Sequence, residues 1–246
     1  MNDTLTTSLK KLRLSGLLQN LDLRLQEAAA NQLGHAQFLE LVAQDELVVR
    51  HERQIPRRLK AASFPNLRTL DQFSWDFNPE INKQTIFDLA TCEFIKKGRD
   101  VLFVGPPGVG KTHLAQAIGY RAIQMNMLVL YRSIFDLVRD FLRDEAFAGQ
   151  DGTLHKYLKV DLLIIDDMGL KELPKRSGEF LFELIMRRYE NKSTLMTSNR
   201  PIEEWGKLIG DVPAAGAILD RFLHHAEIVP MKGRSYRLKD KGGKQL

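Results

Sequence analysis

Residues 105–112 read Gly-Pro-Pro-Gly-Val-Gly-Lys-Thr, the pattern G-x-x-x-x-G-K-[ST], directly between an apolar run, VLFV at 101–104, and a helical pattern from Thr112 to Gln124. A strand, a glycine-rich turn and a helix start, in that order, narrow the fold more than any other feature of the chain. Gly105, Gly108 and Gly110 carry no Cβ, so the backbone can fold around a phosphate with its N–H groups turned inward, and the helix N-terminus adds a favourable dipole. Pro106, Pro107 and Val109 complete the loop. Lys111 then offers an ammonium to β- and γ-phosphates, and Thr112 a hydroxyl to Mg²⁺.

The rest of the chain agrees with such a loop. MLVLYR (127–132), DLLIID (161–166), STLMTSN (193–199) and AEIVPM (226–231) are further apolar runs. Helical patterns at 82–97, 133–145, 177–190 and 215–224 separate them. Alternating strands and helices of this kind predict an α/β fold with a central parallel sheet flanked by helices. Before Phe64 and Pro65 the texture is purely helical: Leu5, Leu9, Leu12, Leu17, Leu21 and Leu25 form one stripe, and Phe38, Leu41, Val42, Leu47 and Val48 a second. The expected organisation is a small N-terminal all-α domain (1–63), a linker (64–80), an ATPase-like domain (81–232) and a basic C-terminal tail (233–246).

With 246 residues, 43% hydrophobic and 27% charged, the chain can bury a core and is neither disordered nor fibrous. Its one cysteine, Cys92, has no mate in the chain, which excludes a disulfide-stapled module and fits a buried thiol in a reducing compartment. The start MNDTLTTSLKKL lacks a signal-peptide pattern, and no apolar run approaches a membrane span. A cytoplasmic protein with no membrane partner is expected. A formal net charge of +5 favours an anionic partner, nucleic acid first.

Asp166 and Asp167 end the apolar strand LLIIDD at 162–167. Side chains alternate along a strand, so the two carboxylates cannot share one task. Asp166 is the candidate for holding Mg²⁺, and Asp167 for polarising the water that attacks a γ-phosphate. Asn199 closes the next strand, where its amide could orient the same water. Phosphoryl transfer also calls for an arginine. Arg221, on the helical pattern ILDRFLHH, is the best placed, with Arg187 and Arg188 as rivals. Phe73, Trp75 and Phe77 in the linker are expected in the core, with packing on an adenine as the alternative.

Three basic segments are candidates for DNA backbone contact. Arg53, Arg57, Arg58 and Lys60, together with Arg50, continue the second apolar stripe as a concentrated basic stretch. Lys10, Lys11 and Arg13 form a smaller patch. The C-terminal run through Lys232, Arg234, Arg237, Lys239, Lys241 and Lys244 has only Asp240 against it, and a solubilising disordered end is its other reading. His113, His224 and His225 lack a cysteine or acidic partner at ligand spacing, so they read as ordinary histidines.

The strings GPPGVGKTHLAQAIG, LLIIDDMGL, RRYENKSTLMTSNRPIEEW, AILDRFLHHAEIV and GRSYRL, with LKKLRLSGL and DELVVRHERQIPRRLKAASFP near the start, resemble the IstB family of AAA+ ATPases. These are the transposition helpers of IS21-type insertion sequences. The resemblance covers nearly the whole chain. It implies a P-loop AAA+ domain with an abbreviated lid and nucleotide contacts from Gly105 to Thr112 and the adjoining His113. It further implies Mg²⁺ at Thr112 and Asp166, a sensor at Asn199, an arginine finger at Arg221 and a sensor-like arginine at Arg237. Asp167 departs from the glutamate common in the family, which puts the rate of hydrolysis in question.

The family's activity implies a protein that binds ATP, oligomerises on double-stranded DNA, deforms it, and recruits and stimulates its cognate transposase. A replicative helicase loader of the DnaC/DnaI type shares the core and is the alternative. A small-molecule P-loop kinase and a weakly hydrolysing DNA scaffold are more distant readings.

Overall fold

The computed structural model describes residues 3–146, 152–169, 173–209 and 212–239. Asp240, Lys241 and Lys244 of the basic tail lie outside them. Contacts divide the chain into two units, Met1–Arg57 and Arg58–Leu246. The division falls within one continuous helix, a few residues before the composition break at Phe64, because Ala62 at the end of that helix is already fully buried in the second unit.

Three helices build the first unit: α1 (Asp3–Lys11), α2 (Ser15–Ala30) and α3 (His35–Ala62), the last running on into the second. Leu9, Leu21 and Val42 form its buried centre, with Leu14, Leu17, Leu18 and Phe38 packed against them. The apolar stripes overstate this core, since Leu5, Leu12, Leu25, Leu47 and Val48 are exposed. Polar contacts supply the rest. Glu46 on α3 accepts from the N–H groups of Gly16 (2.6 Å) and Leu17 (3.1 Å), so a distant carboxylate caps α2, whose preceding residue Leu14 cannot. Arg24 pairs through two nitrogens with Asp45, at 2.8 Å each.

The second unit is a five-stranded parallel sheet in the order β2-β3-β4-β1-β5. Its strands are β1 (Asp100–Val104), β2 (Val129–Ser133), β3 (Leu162–Met168), β4 (Ser193–Ser198) and β5 (Ala226–Pro230). Each coincides with a predicted apolar run to within two residues. The helices are α4 (Lys83–Ala90), α5 (Glu93–Lys96), α6 (Lys111–Gln124), α7 (Ile134–Ala146), α8 (Gly152–Lys159), α9 (Ser177–Arg188), α10 (Trp205–Ile209) and α11 (Val212–His224). The single helix expected over 82–97 is two, because Cys92 takes a left-handed conformation (φ 60°) between α4 and α5. Burial pushes the Cys92 thiol up to about 11, which leaves it inert as expected. Short α8 and α10 were not legible as helices.

Strand alternation explains the layers. Leu102, Leu130, Leu163, Ile165 and Met196 face one core, shared with residues of α7, α8, α9, α10 and α11, including Trp205 and Phe222. Ile164 points the other way, against Gly119 of α6. After α11 the described chain holds β5 and a short 3-10 turn at Tyr236–Leu238, with no helical lid. Among the described residues no helix is long and apolar enough to cross a membrane.

Asp100, at the start of β1, is buried and accepts the N–H of Thr194 (2.6 Å). Burial pushes its carboxyl up to about 7, against the opposing pull of that N–H and of the Arg188 charge. In the unfolded chain the group ionises near 3.8, so its contribution to stability is full below that pH and is lost as pH rises to about 7. Asp100→Asn keeps the carbonyl acceptor and removes the titration. In thermal melts the variant is expected to gain on the parent as pH rises from 4.5 to 7.5 and to hold a constant margin above. A gap independent of pH would contradict this.

Candidate active site

The candidate site lies at the carboxyl ends of β1, β3 and β4, where open parallel sheets place their ligands. The loop leaving β1 is tied to the sheet by Gly105 N–H, which donates to the Ser198 carbonyl (3.1 Å). Gly108 and Gly110 take φ of 82° and 109°, and both are enclosed. A Cβ on Gly108 would stand 2.1 Å from Ser235 Oγ, and one on Gly110 2.5 Å from a Phe73 ring carbon. Glycine is therefore demanded twice over, by conformation and by space. Lys111 at the head of α6 donates through Nζ to the Gly105 and Pro106 carbonyls (2.6 and 2.8 Å). Burial pulls its ammonium down to about 8, while Asp166 and Asp167 oppose that shift.

Asp166 is 1% exposed and is the hub of the site. Its Oδ1 accepts from Thr112 Oγ1 at 3.0 Å and from Thr197 Oγ1, and its Oδ2 from the Tyr131 hydroxyl at 2.5 Å. One carboxylate thus joins α6, β4 and β2 to β3. All three partners are neutral hydroxyls, and among the described residues no lysine or arginine forms an ion pair with it. A buried carboxylate with hydroxyl partners and no paired cation is an all-oxygen donor set suited to a hard divalent ion.

Asp167 diverges from its neighbour as alternation requires. The β3–β4 register slips between Ile165 and Met168, Asp167 takes φ 64°, and its N–H donates to Thr197 Oγ1 (3.2 Å). Its side chain lines a cavity of about 550 Å³. Burial, then the adjacent Asp166, pushes the Asp167 carboxyl above its ordinary range. Pro107, Gly108, Val109, Gly110, Lys111, Thr112, His113, Asn199 and Arg237 line the same cavity. His113 is fixed by the Thr69 carbonyl (2.8 Å) and by the edge of Phe73.

Other candidates lie elsewhere. Arg221 is exposed on α11, over the Tyr189 ring at 5.6 Å, and does not line the cavity. Arg187 pairs with Glu183 on the surface (2.7 Å). Arg188 is corrected outright as a finger. It is 1% exposed, and its guanidinium holds Thr194 Oγ1 and the carbonyls of Tyr157, Val160 and Ser193, a structural role. Lys10, Lys11, Arg13, Arg53, Arg57 and Lys60 are exposed, with Arg53 bonded to Ser15 Oγ. Arg58 is half-buried, less open to solvent than Arg57.

Several site residues escaped the sequence reading. Phe73 and Phe77 line the cavity, whereas the core was the first expectation for them. Tyr131 and Thr197 sit two residues and one residue before the ends of their strands, a placement that alternation could have flagged. The described part of the C-terminal run is folded onto the site. Tyr236 N–H donates to the Gly108 carbonyl (2.9 Å), and its ring meets Phe77 edge-on. Buried Asn78 clamps Arg234 from both sides, with Nδ2 to the carbonyl (3.0 Å) and Oδ1 from the N–H (2.8 Å). Linker and tail therefore form one clasp beside the phosphate loop.

A parallel sheet with this loop and carboxylate pair defines a P-loop ATPase fold. The chain matches the family described as IstB-like ATP binding protein over residues 7–243, and it belongs to that family. It is 36% identical over 237 residues to a protein of insertion sequence IS21 from Pseudomonas aeruginosa, named for ATP binding, covering 95% of this chain and 88% of that one. It is 38% identical over 218 residues to the corresponding IS5376 protein of Geobacillus stearothermophilus, covering 87% and 85%. Among solved structures, the DnaC helicase loader shares the fold, with a TM-score of 0.53 and 24% identity over 61% of this chain and 87% of that one.

Asn78→Ala removes both clamp bonds and is expected to lower the unfolding free energy by about 1–3 kcal/mol. Trypsin should then cut faster after Arg234 and Arg237 in the folded protein. Unchanged cleavage would show that the clasp does not restrain the tail.

Proposed function

We propose that this protein is an ATP-hydrolysing transposition helper that assembles on duplex DNA and engages a transposase. The carrying observation is the convergence of the phosphate loop, Asp167 and Asn199 on one cavity, with Asp166 bonded to Thr112 of its wall, in a chain whose relatives are named for insertion sequences and ATP binding. The loop N–H groups and Lys111 bind the β- and γ-phosphates, for which Lys111 must exchange its carbonyl partners. Phe73, Phe77 and Tyr236 offer apolar surface to the base.

Thr112 and Asp166 would hold Mg²⁺, which when bound neutralises phosphate charge and orients the γ-phosphate. Asp167 takes the proton of the attacking water, and Asn199 orients that water from the end of β4. Arg237 adds positive charge from the same chain. Arg221, outside its own chain's cavity, serves as a finger for a neighbouring copy, so turnover depends on assembly. The exposed Arg53 and Arg57 and the patch Lys10, Lys11 and Arg13 contact DNA phosphates without reading sequence.

Lys111→Ala is expected to weaken binding of a fluorescent ATP analogue by roughly 100-fold, the loss of a charged phosphate contact. Retained affinity would refute the phosphate assignment. Arg221→Ala should leave that affinity intact and depress turnover only in the DNA-assembled state. Equal loss in dilute, unassembled protein would contradict a finger acting between copies. Charge reversal at Arg53 and Arg57 should weaken binding to unrelated duplexes alike and flatten its salt dependence. Capture of a replicative helicase in place of a transposase would overturn the choice of partner.

A further inference from the structure

We propose that Glu190, His224 and His225 form a binding site for a divalent transition-metal ion of the zinc class, at the amino ends of the strands, away from the phosphate loop at their carboxyl ends. Chain distance hides the grouping. Glu190 follows α9, whereas His224 ends α11 and His225 leads into β5. The fold supplies the acidic partner that the two histidines lack in the linear sequence. One ligand atom from each of the three residues lies within 4.8 Å of the others. Glu190 Oε1 and His225 Nε2 are already 3.1 Å apart, and the two imidazole centroids stand at 4.1 Å. Ligand atoms about 2.0–2.2 Å from a shared ion lie closer together than 4.8 Å, so only small rotations of partly exposed side chains are needed.

The surroundings resemble a built site. The Tyr189 hydroxyl bonds His224 Nδ1 at 2.5 Å and orients that ring, the kind of outer contact that metal-ligating histidines use. Glu190 is held by its backbone at φ 58°, with Gly98 packed so closely that a Cβ there would stand 3.0 Å from the Glu190 carbonyl oxygen. His224 and His225 also line a cavity of about 500 Å³ with Asp100 and Glu227, which gives an ion an approach and room for water.

Two imidazole nitrogens and one carboxylate oxygen favour Zn²⁺, Co²⁺ or Ni²⁺ over Mg²⁺, and three protein ligands leave at least one position for water. An ion there would pin the end of α9 to the junction of α11 and β5. Tyr189, which carries Arg221 over its ring, belongs to the same cluster.

The test is titration of the full-length, nucleotide-free protein with Co²⁺, followed by its visible absorption, and with Zn²⁺ by calorimetry. The expected result is saturation at about one ion per chain, with Zn²⁺ displacing Co²⁺. His225→Gln and Glu190→Gln should each weaken Zn²⁺ binding at least about tenfold. Asp166→Asn should leave this binding intact, which separates the site from the oxygen-donor set near Thr112. Circular dichroism verifies that the variants are folded, and Glu190→Gln, the more conservative change, serves if His225→Gln is not. No saturable binding below about 100 μM, equal affinity in folded variants, or one ion shared between two chains would each overturn the proposal.

Discussion

The buried carboxylate of Asp166 is the constraint on which the site depends. It lies near the end of β3 with almost no exposure, and three hydroxyls from three other elements reach it. Those contacts fix where α6 begins, hence where the phosphate loop closes. They also fix β2 and β4 against β3 at the end where the chemistry would occur. Removing a carboxylate from water is costly, and neutral hydroxyl donors offset only part of that cost. A buried carboxylate ringed by hydroxyl oxygens is thus a structural reason for a cation at this position.

The next residue shows how one backbone irregularity positions the second carboxylate. A regular strand would turn Asp167 away from Asp166, and the slip in register with the left-handed conformation delivers it to the cavity wall beside Asn199. Around this centre the linker and the C-terminal segment close as a clasp through Asn78, Phe77 and Tyr236. Arg237 reaches the cavity because of that closure, while Arg221 stays outside on α11. The cavity thus takes Arg68 and Arg237 from its own chain, and Arg221 remains on the surface of α11.

Local patterns made much of this legible. Each strand was a short apolar run bounded by turn formers, and the loop string named its own flanking elements. The first unit was harder. Helical periodicity marked its helices, yet the stripes could not show that Glu46 caps α2 or that Leu47 and Val48 remain exposed. The groupings left unread all join residues far apart in the chain: Tyr131 with Asp166, Asn78 with Arg234, and Glu190 with His224 and His225. Arg188 misled for the same reason. A basic residue near the end of a helix reads as surface until the carbonyls that bury it come into place.

The central claim is that a triphosphate at the Asp166 site switches the protein into a DNA-bound assembly. Mass photometry of the full-length protein on a short duplex, with Mg²⁺ and a non-hydrolysable ATP analogue and again without nucleotide, addresses it directly. The account predicts complexes of many protein copies per duplex with the analogue and few or none without it. The same mass distribution under both conditions would contradict it.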